Sequence, residues 1–170
     1  MQFYPRSGWL WGVCFACALA VGLGCSSKEA RYPQDYARYQ RIDAALEALQ
    51  KGYNEKNPGA IAGLMLPLEP LDQMQTEIHK DFETYAEIKV EFSVERIAIE
   101  GNTIETYVHW QGQWKKASAD DGIRERGHGI LRWIGVQSIL LSSTEGDMPF
   151  GVASHQAKEA ESMPLKPSAP

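Results

Sequence analysis

The sequence predicts an α+β domain in which three N-terminal helices lie across one face of a bent antiparallel sheet of about four strands. Two observations carry this expectation. Apolar residues recur at steps of three and four from Tyr32 to Tyr85, then switch to steps of two from Ile88 onward. The two-residue turn Gly101-Asn102 and the later Gly135 divide the alternating part into strands joined as a meander.

Tyr32, Tyr36, Tyr39, Ile42, Leu46, Leu49 and Tyr53 form one face of a long first helix. Pro33 suits its first turn, where a missing N–H costs nothing. The leading tyrosines run past the expected end of the sheet, where amphipathic rings cover a core rim; a partner surface is the alternative. Asn57-Pro58-Gly59 ends this helix. Ile61, Leu64 and Met65 mark a short second helix, stopped by Pro67 and Pro70. Leu71, Met74, Ile78, Phe82 and Tyr85 mark a third.

Ile88, Val90, Phe92 and Val94 then alternate with polar residues, and Ile97 and Ile99 resume one register later. That slip at Glu95-Arg96 is what a β-bulge produces. After the turn, Ile104, Thr106, Val108 and Trp110 share one face of the return strand, with Glu105, Tyr107 and His109 on the other. Residues 117–122 form a polar loop. Residues 123–134 and 136–143 give two more strands around Gly135, and Glu145-Gly146-Asp147 turns into Met148-Pro149-Phe150-Gly151.

The ends read differently. Residues 1–24 have the order of an export signal: a polar start with Arg6, an apolar stretch from Trp9 to Leu23, and a small residue before Cys25. A retained spanning helix is the second choice, because the stretch lies at the lower edge of bilayer thickness. Residues 25–35 are expected to be a flexible tether and residues 152–170, rich in Ala, Ser, Pro and charge, a disordered tail. Residues 36–151 are the folded domain. Cys14 and Cys17 fall in the signal and no cysteine follows Cys25, so the domain needs no disulfide. The whole chain carries 17 Lys plus Arg against 22 Asp plus Glu. Such an acidic balance argues against nucleic acid and against polybasic attraction to anionic lipid.

The run Val21-Gly22-Leu23-Gly24-Cys25-Ser26 resembles a bacterial lipoprotein signal. The resemblance implies that the Cys25 thiol is acylated, that the preceding peptide is cut, and that the acyl chains hold the domain at the membrane. Ser26, in place of the Asp that retains such proteins at the inner membrane, leans the location toward the outer membrane, facing the periplasm. The order of elements, with Ile99-Glu100-Gly101-Asn102-Thr103-Ile104-Glu105 and the closing Gly146-Asp147-Met148-Pro149-Phe150-Gly151, resembles the nuclear transport factor 2-like (SnoaL-like) superfamily. That resemblance implies a cone, with helices closing one side of a curved sheet and a pocket at the wide end. Some members are isomerases or dehydratases and many others are binding domains, so fold does not choose between them.

An enzyme of this kind needs a carboxylate or histidine inside the apolar cone. Tyr85, His109, Trp110 and Trp133 are the candidates to line such a pocket, although alternation favours the outer sheet face for His109. Asp120-Asp121-Gly122 offers too few oxygen ligands for calcium and reads as a solvated turn. His79, His109, His128 and His155 show no paired spacing for zinc, so no metal is expected, and no cofactor motif appears. Arg124, Arg126 and Arg132 alternate along one strand as a solvent face or subunit contact. The expected function is binding of a partner protein or a small apolar ligand, with a homodimer through the outer sheet face as one form. The alternative is a cofactor-free isomerase or dehydratase with a general base in the pocket.

Overall fold

The computed structural model describes residues 32–162. The expected export signal over residues 1–24, Cys25, the tether as far as residue 31 and residues 163–170 lie outside the described residues. Helix α1 (Tyr32–Asn54) is followed by α2 (Pro58–Ala62), α3 (Glu69–Thr84), strands β1 (Glu87–Glu100), β2 (Thr103–Lys115), β3 (Ile123–Ile134) and β4 (Leu140–Gly146), and α4 (Val152–Ser162). The strands form one antiparallel meander in the order β1-β2-β3-β4. Among the described residues no helix is long and apolar enough to cross a membrane.

Helix α1 buries Ile42, Ala45, Leu46, Leu49 and Tyr53 and leaves Tyr36 and Tyr39 exposed. Its polar side chains close the open edge of β1. The Asn54 amide accepts from the Val90 N–H at 2.7 Å and donates to the Val90 carbonyl at 2.9 Å, while Gln50 accepts from the Phe92 N–H at 2.8 Å. An unpaired strand edge is an aggregation liability, and the helix removes it. At its other end, Arg38 and Arg41 donate to the carbonyls of Gly135 and Val136. The opposite edge of the sheet is covered too, since Leu66 N–H donates to Leu141 and Leu141 N–H donates to Leu64.

Turns follow their chemistry. Lys56 takes a left-handed conformation (φ 55°), and bonds from Asn57 N–H to Gly52 and from Lys56 N–H to Tyr53 close α1 in a Schellman pattern. Asn57 then caps α2 through the Ala60 N–H. The expected bulge lies between Val94 and Arg96, leaving Glu95 unpaired in the ladder.

Three expectations need correction. The fourth strand begins at Leu140, not at residue 136, because Gly135 turns at φ 128° with its N–H on the Asn102 carbonyl and the next three residues are exposed loop. The first helix starts at Tyr32, as its apolar face and Pro33 imply, so the tether expected over residues 25–35 cannot extend past residue 31. The segment expected to be a disordered tail forms α4 as far as Ser162. Composition alone hid that helix. Val152 is buried in the core, and a carboxylate from α3 supplies the cap that α4 lacks in its own sequence.

Candidate functional site

Inside the cone the side chains converge on Asp81, which is fully buried on α3. Its Oδ2 accepts from the Tyr53 hydroxyl at 2.7 Å and from the Gly151 N–H at 2.7 Å, and its Oδ1 accepts from the Ala153 N–H at 2.8 Å. The Trp114 indole N–H donates to the Tyr53 oxygen at 3.0 Å. The carboxylate thus sits at the N-terminus of α4, where orphan N–H groups and the helix dipole favour negative charge. Burial pushes the Asp81 carboxyl above its usual range, and the three donors only partly offset that. Burial also pushes Tyr53 well above the ordinary tyrosine value, with the charge of Asp81 adding to it.

This arrangement has the partners of an acid–base pair but not the opening. The Tyr53 ring meets Phe150 edge-on at 5.0 Å and Phe82 at 5.6 Å. A general base must reach a substrate proton at hydrogen-bond distance. Asp81 instead spends its oxygens on α1 and on the chain entering α4, so it acts as a latch. Sequence reasoning missed it, although one signal was available: Asp81 stands three residues after Ile78 and one before Phe82, on the buried face of its helix.

The four residues expected to line a pocket do not converge. Tyr85, Trp110 and Trp133 are buried in the core, Trp110 edge-on to Trp114 at 6.2 Å and bonded through its indole N–H to the Asp147 carbonyl. His109 points to the other side of the sheet with its side chain 51% exposed. Two buried polar atoms in the cone, Trp133 Nε1 and Thr106 Oγ1, have no protein partner. They stand two rungs apart on the same face of β2 and β3, as Ile104 pairs with Trp133 and Thr106 with Leu131.

The outer sheet face is where the exposed chemistry lies. A shallow groove of about 390 Å³ is lined by Lys89, Glu91, Gln111, Gln113, Arg124 and Arg126. Gln111 donates to Glu91, and Gln113 donates to the Asp121 carbonyl. Next along the face, the Glu95 carboxylate stands 3.4 Å from His109 Nδ1 and 3.3 Å from His128 Nδ1. Beyond it, Arg96 lies 3.9 Å over the Tyr107 ring, whose hydroxyl donates to Glu105. Arg132 bridges Glu105 and Glu145 at 2.9 and 2.7 Å. The Tyr107 hydroxyl and then Arg132 hold the Glu105 carboxyl below its usual range. The groove end therefore has three cations, Lys89, Arg124 and Arg126, against Glu91 and against Glu125, whose carboxylate accepts from Gln156, whereas the far end has Glu95, Glu100, Glu105 and Glu145 against Arg96 and Arg132. The expected solvated turn is present as well, with Asp120 accepting from the Gly122 and Lys116 N–H groups.

Comparison with protein-family models and with curated proteins finds no match. Solved structures do match. Kfla4162 from Kribbella flavida superposes with a TM-score of 0.56 at 12% identity, over 73% of this chain and 99% of that one. A nuclear transport factor 2-like superfamily protein from Salmonella enterica serovar Typhimurium gives 0.54 at 12% identity, over 68% and 93%. A dehydratase candidate of the same family from Streptomyces avermitilis gives 0.54 at 9% identity, over 65% and 95%. The chain has the nuclear transport factor 2-like fold, an α+β cone with helices before a curved four-stranded sheet. That fold serves as a scaffold for ligand binding or for isomerase and dehydratase chemistry, and likeness at these identities extends to the fold alone.

Proposed function

We propose that this chain is a lipid-anchored protein of the bacterial envelope whose cone-shaped domain works by binding, and that its outer sheet face docks a second copy of the chain. The observation that carries the docking reading is the division of charge along that face. A two-fold axis through its middle lays the basic end of one copy on the acidic end of the other, so each groove meets the Glu105 and Glu145 end of its partner. Latching of the interior carboxylate weighs against the dehydratase alternative, because three of the roughly four lone-pair sites of Asp81 are spent on α1 and on the chain entering α4.

Cross-linking in intact envelopes tests this. Single variants Tyr107→Cys, Gln111→Cys and Arg126→Cys of the full chain should be joined into dimers by a flexible bismaleimide linker that spans the axis, and Glu83→Cys on the exposed side of α3 should not. Equal cross-linking at all four positions, or none, overturns the docking reading. The anchor rests on Cys25 and its small-residue run. Labelled palmitate should enter the native chain and not Cys25→Ala, and a label retained by the variant would end that part of the proposal.

Unpartnered Trp133 Nε1 and Thr106 Oγ1 favour a second reading, in which a small apolar ligand with one polar group enters the cone and satisfies both. Trp133 fluorescence should then respond to envelope lipid extract, and a Thr106→Val chain should respond less.

A further inference from the structure

We infer that the end of the domain formed by residues 38–41 of α1 and the β3–β4 loop rests on the surface of the phospholipid bilayer that holds the chain's own acyl anchor. The inference rests on the anchor reading above and not on the docking of a second copy. Three segments meet at this end. Arg38 and Arg41 donate to the Gly135 and Val136 carbonyls at 3.1 and 3.0 Å, and the Gly135 N–H donates to Asn102 in the β1–β2 turn. Tyr39 stands on the same turn of α1 as the two arginines and is exposed, as are Ile134 at the end of β3 and Val136 in the loop.

Reach and chemistry both select the bilayer as the occupant. Only residues 26–31 separate Cys25 from the start of α1, so the helix begins within about 24 Å of the acylated sulfur even with that link fully extended. Arg38 follows less than two helical turns later. A tether this short keeps the effective concentration of the surface high, and a contact too weak to recruit free protein then persists. Tyrosine belongs to membrane–water interfaces, its ring among acyl chains and its hydroxyl among headgroups, and Ile134 and Val136 add aliphatic surface. Among the described residues each guanidinium bonds only to a backbone carbonyl, which leaves N–H donors for lipid phosphate. Glu100, on the outer face beside the β1–β2 turn, opposes that attraction. Insertion of the three apolar side chains, rather than net charge, therefore carries the contact.

Fluorescence quenching by lipid tests this on the mature acylated chain, reconstituted into vesicles of phosphatidylethanolamine and phosphatidylglycerol. Its one native cysteine is Cys25, whose sulfur carries lipid, so a second cysteine offers a single thiol for a fluorophore. Tyr39→Cys, Ile134→Cys and Val136→Cys probe the inferred contact. Glu83→Cys on α3 and Ser118→Cys in the β2–β3 loop, at the opposite end of the sheet, are the controls. Phospholipid with a doxyl group just below the headgroup should quench the first three labels at least about twofold more than either control. All five positions are exposed, so urea midpoints near that of the native chain will show that the variants fold, and any one folded probe of the contact decides the matter. Chains that float with the vesicles yet quench equally at every position would overturn the inference and leave the anchor intact. Chains that fail to float would end the anchor reading and this inference with it.

Discussion

The two faces of the sheet carry ionisable groups under opposite regimes. On the concave side, Asp81 is fully buried and every contact it makes is to the fold itself. On the outer side, Glu95, Glu105 and Glu145 are partly or largely exposed and meet side chains that water could replace. The same chemical group is therefore a structural necessity in one place and an available contact in the other. Buried donors left without an acceptor cost about 1–3 kcal/mol each, whereas exposed ion pairs contribute little that salt does not screen.

The largest effect should come from Asp81→Ala, which strands the Tyr53 hydroxyl and the N–H groups of Gly151 and Ala153. Urea unfolding should show a loss of about 3–5 kcal/mol, and amide exchange should speed along α4 before the rest of the domain. A loss spread evenly over the chain would show that the carboxylate is not a latch for that helix. Trp114→Phe comes next, removing the donor to Tyr53 while keeping a ring in the core. It should cost about 1–2 kcal/mol by the same measurement.

A smaller effect should appear in pH dependence. Because burial raises the Asp81 carboxyl, the native state holds its proton where the unfolded chain has released it. Stability from this group is greatest below the unfolded value of about 3.9 and is lost as pH rises through the higher native value. Asp81→Asn cannot titrate there, so the advantage of the native chain over this variant should narrow as pH rises across that window. A widening gap would reverse the assigned sign.

The smallest effect on folding should come from the outer face. Arg124→Glu combined with Arg126→Glu reverses the basic end of the groove and should leave the urea midpoint nearly unchanged while abolishing the Gln111→Cys cross-link. If this pair unfolded the domain instead, the contrast between the two faces would fail.

Elements with strong periodicity were legible because each depends on neighbours within a few residues. The stripe from Ile42 to Tyr53, the shift at Glu95 and the Gly101-Asn102 turn each state their geometry locally. The start of β4 was not legible, since Val136 and Ile139 suit a strand and only the bond from Gly135 N–H to Asn102 puts a loop there. Helix α4 was hidden for a related reason: its cap lies on α3, far away in the chain. Of the residues expected to line a pocket, Tyr85, Trp110 and Trp133 are in the core and His109 is on the outer face, as alternation along β2 states locally.

By itself, then, the sequence determined the class of the domain, the order of its elements from α1 to β4, the side of each strand that meets the core and the acidic balance of the whole. Those follow from period and composition, which act along the chain. Tertiary structure alone decided that Asp81 would hold α4 and that His109, His128 and Glu95 would meet on one patch of sheet. Such contacts join residues remote in sequence, and only the register of folded elements brings them within reach.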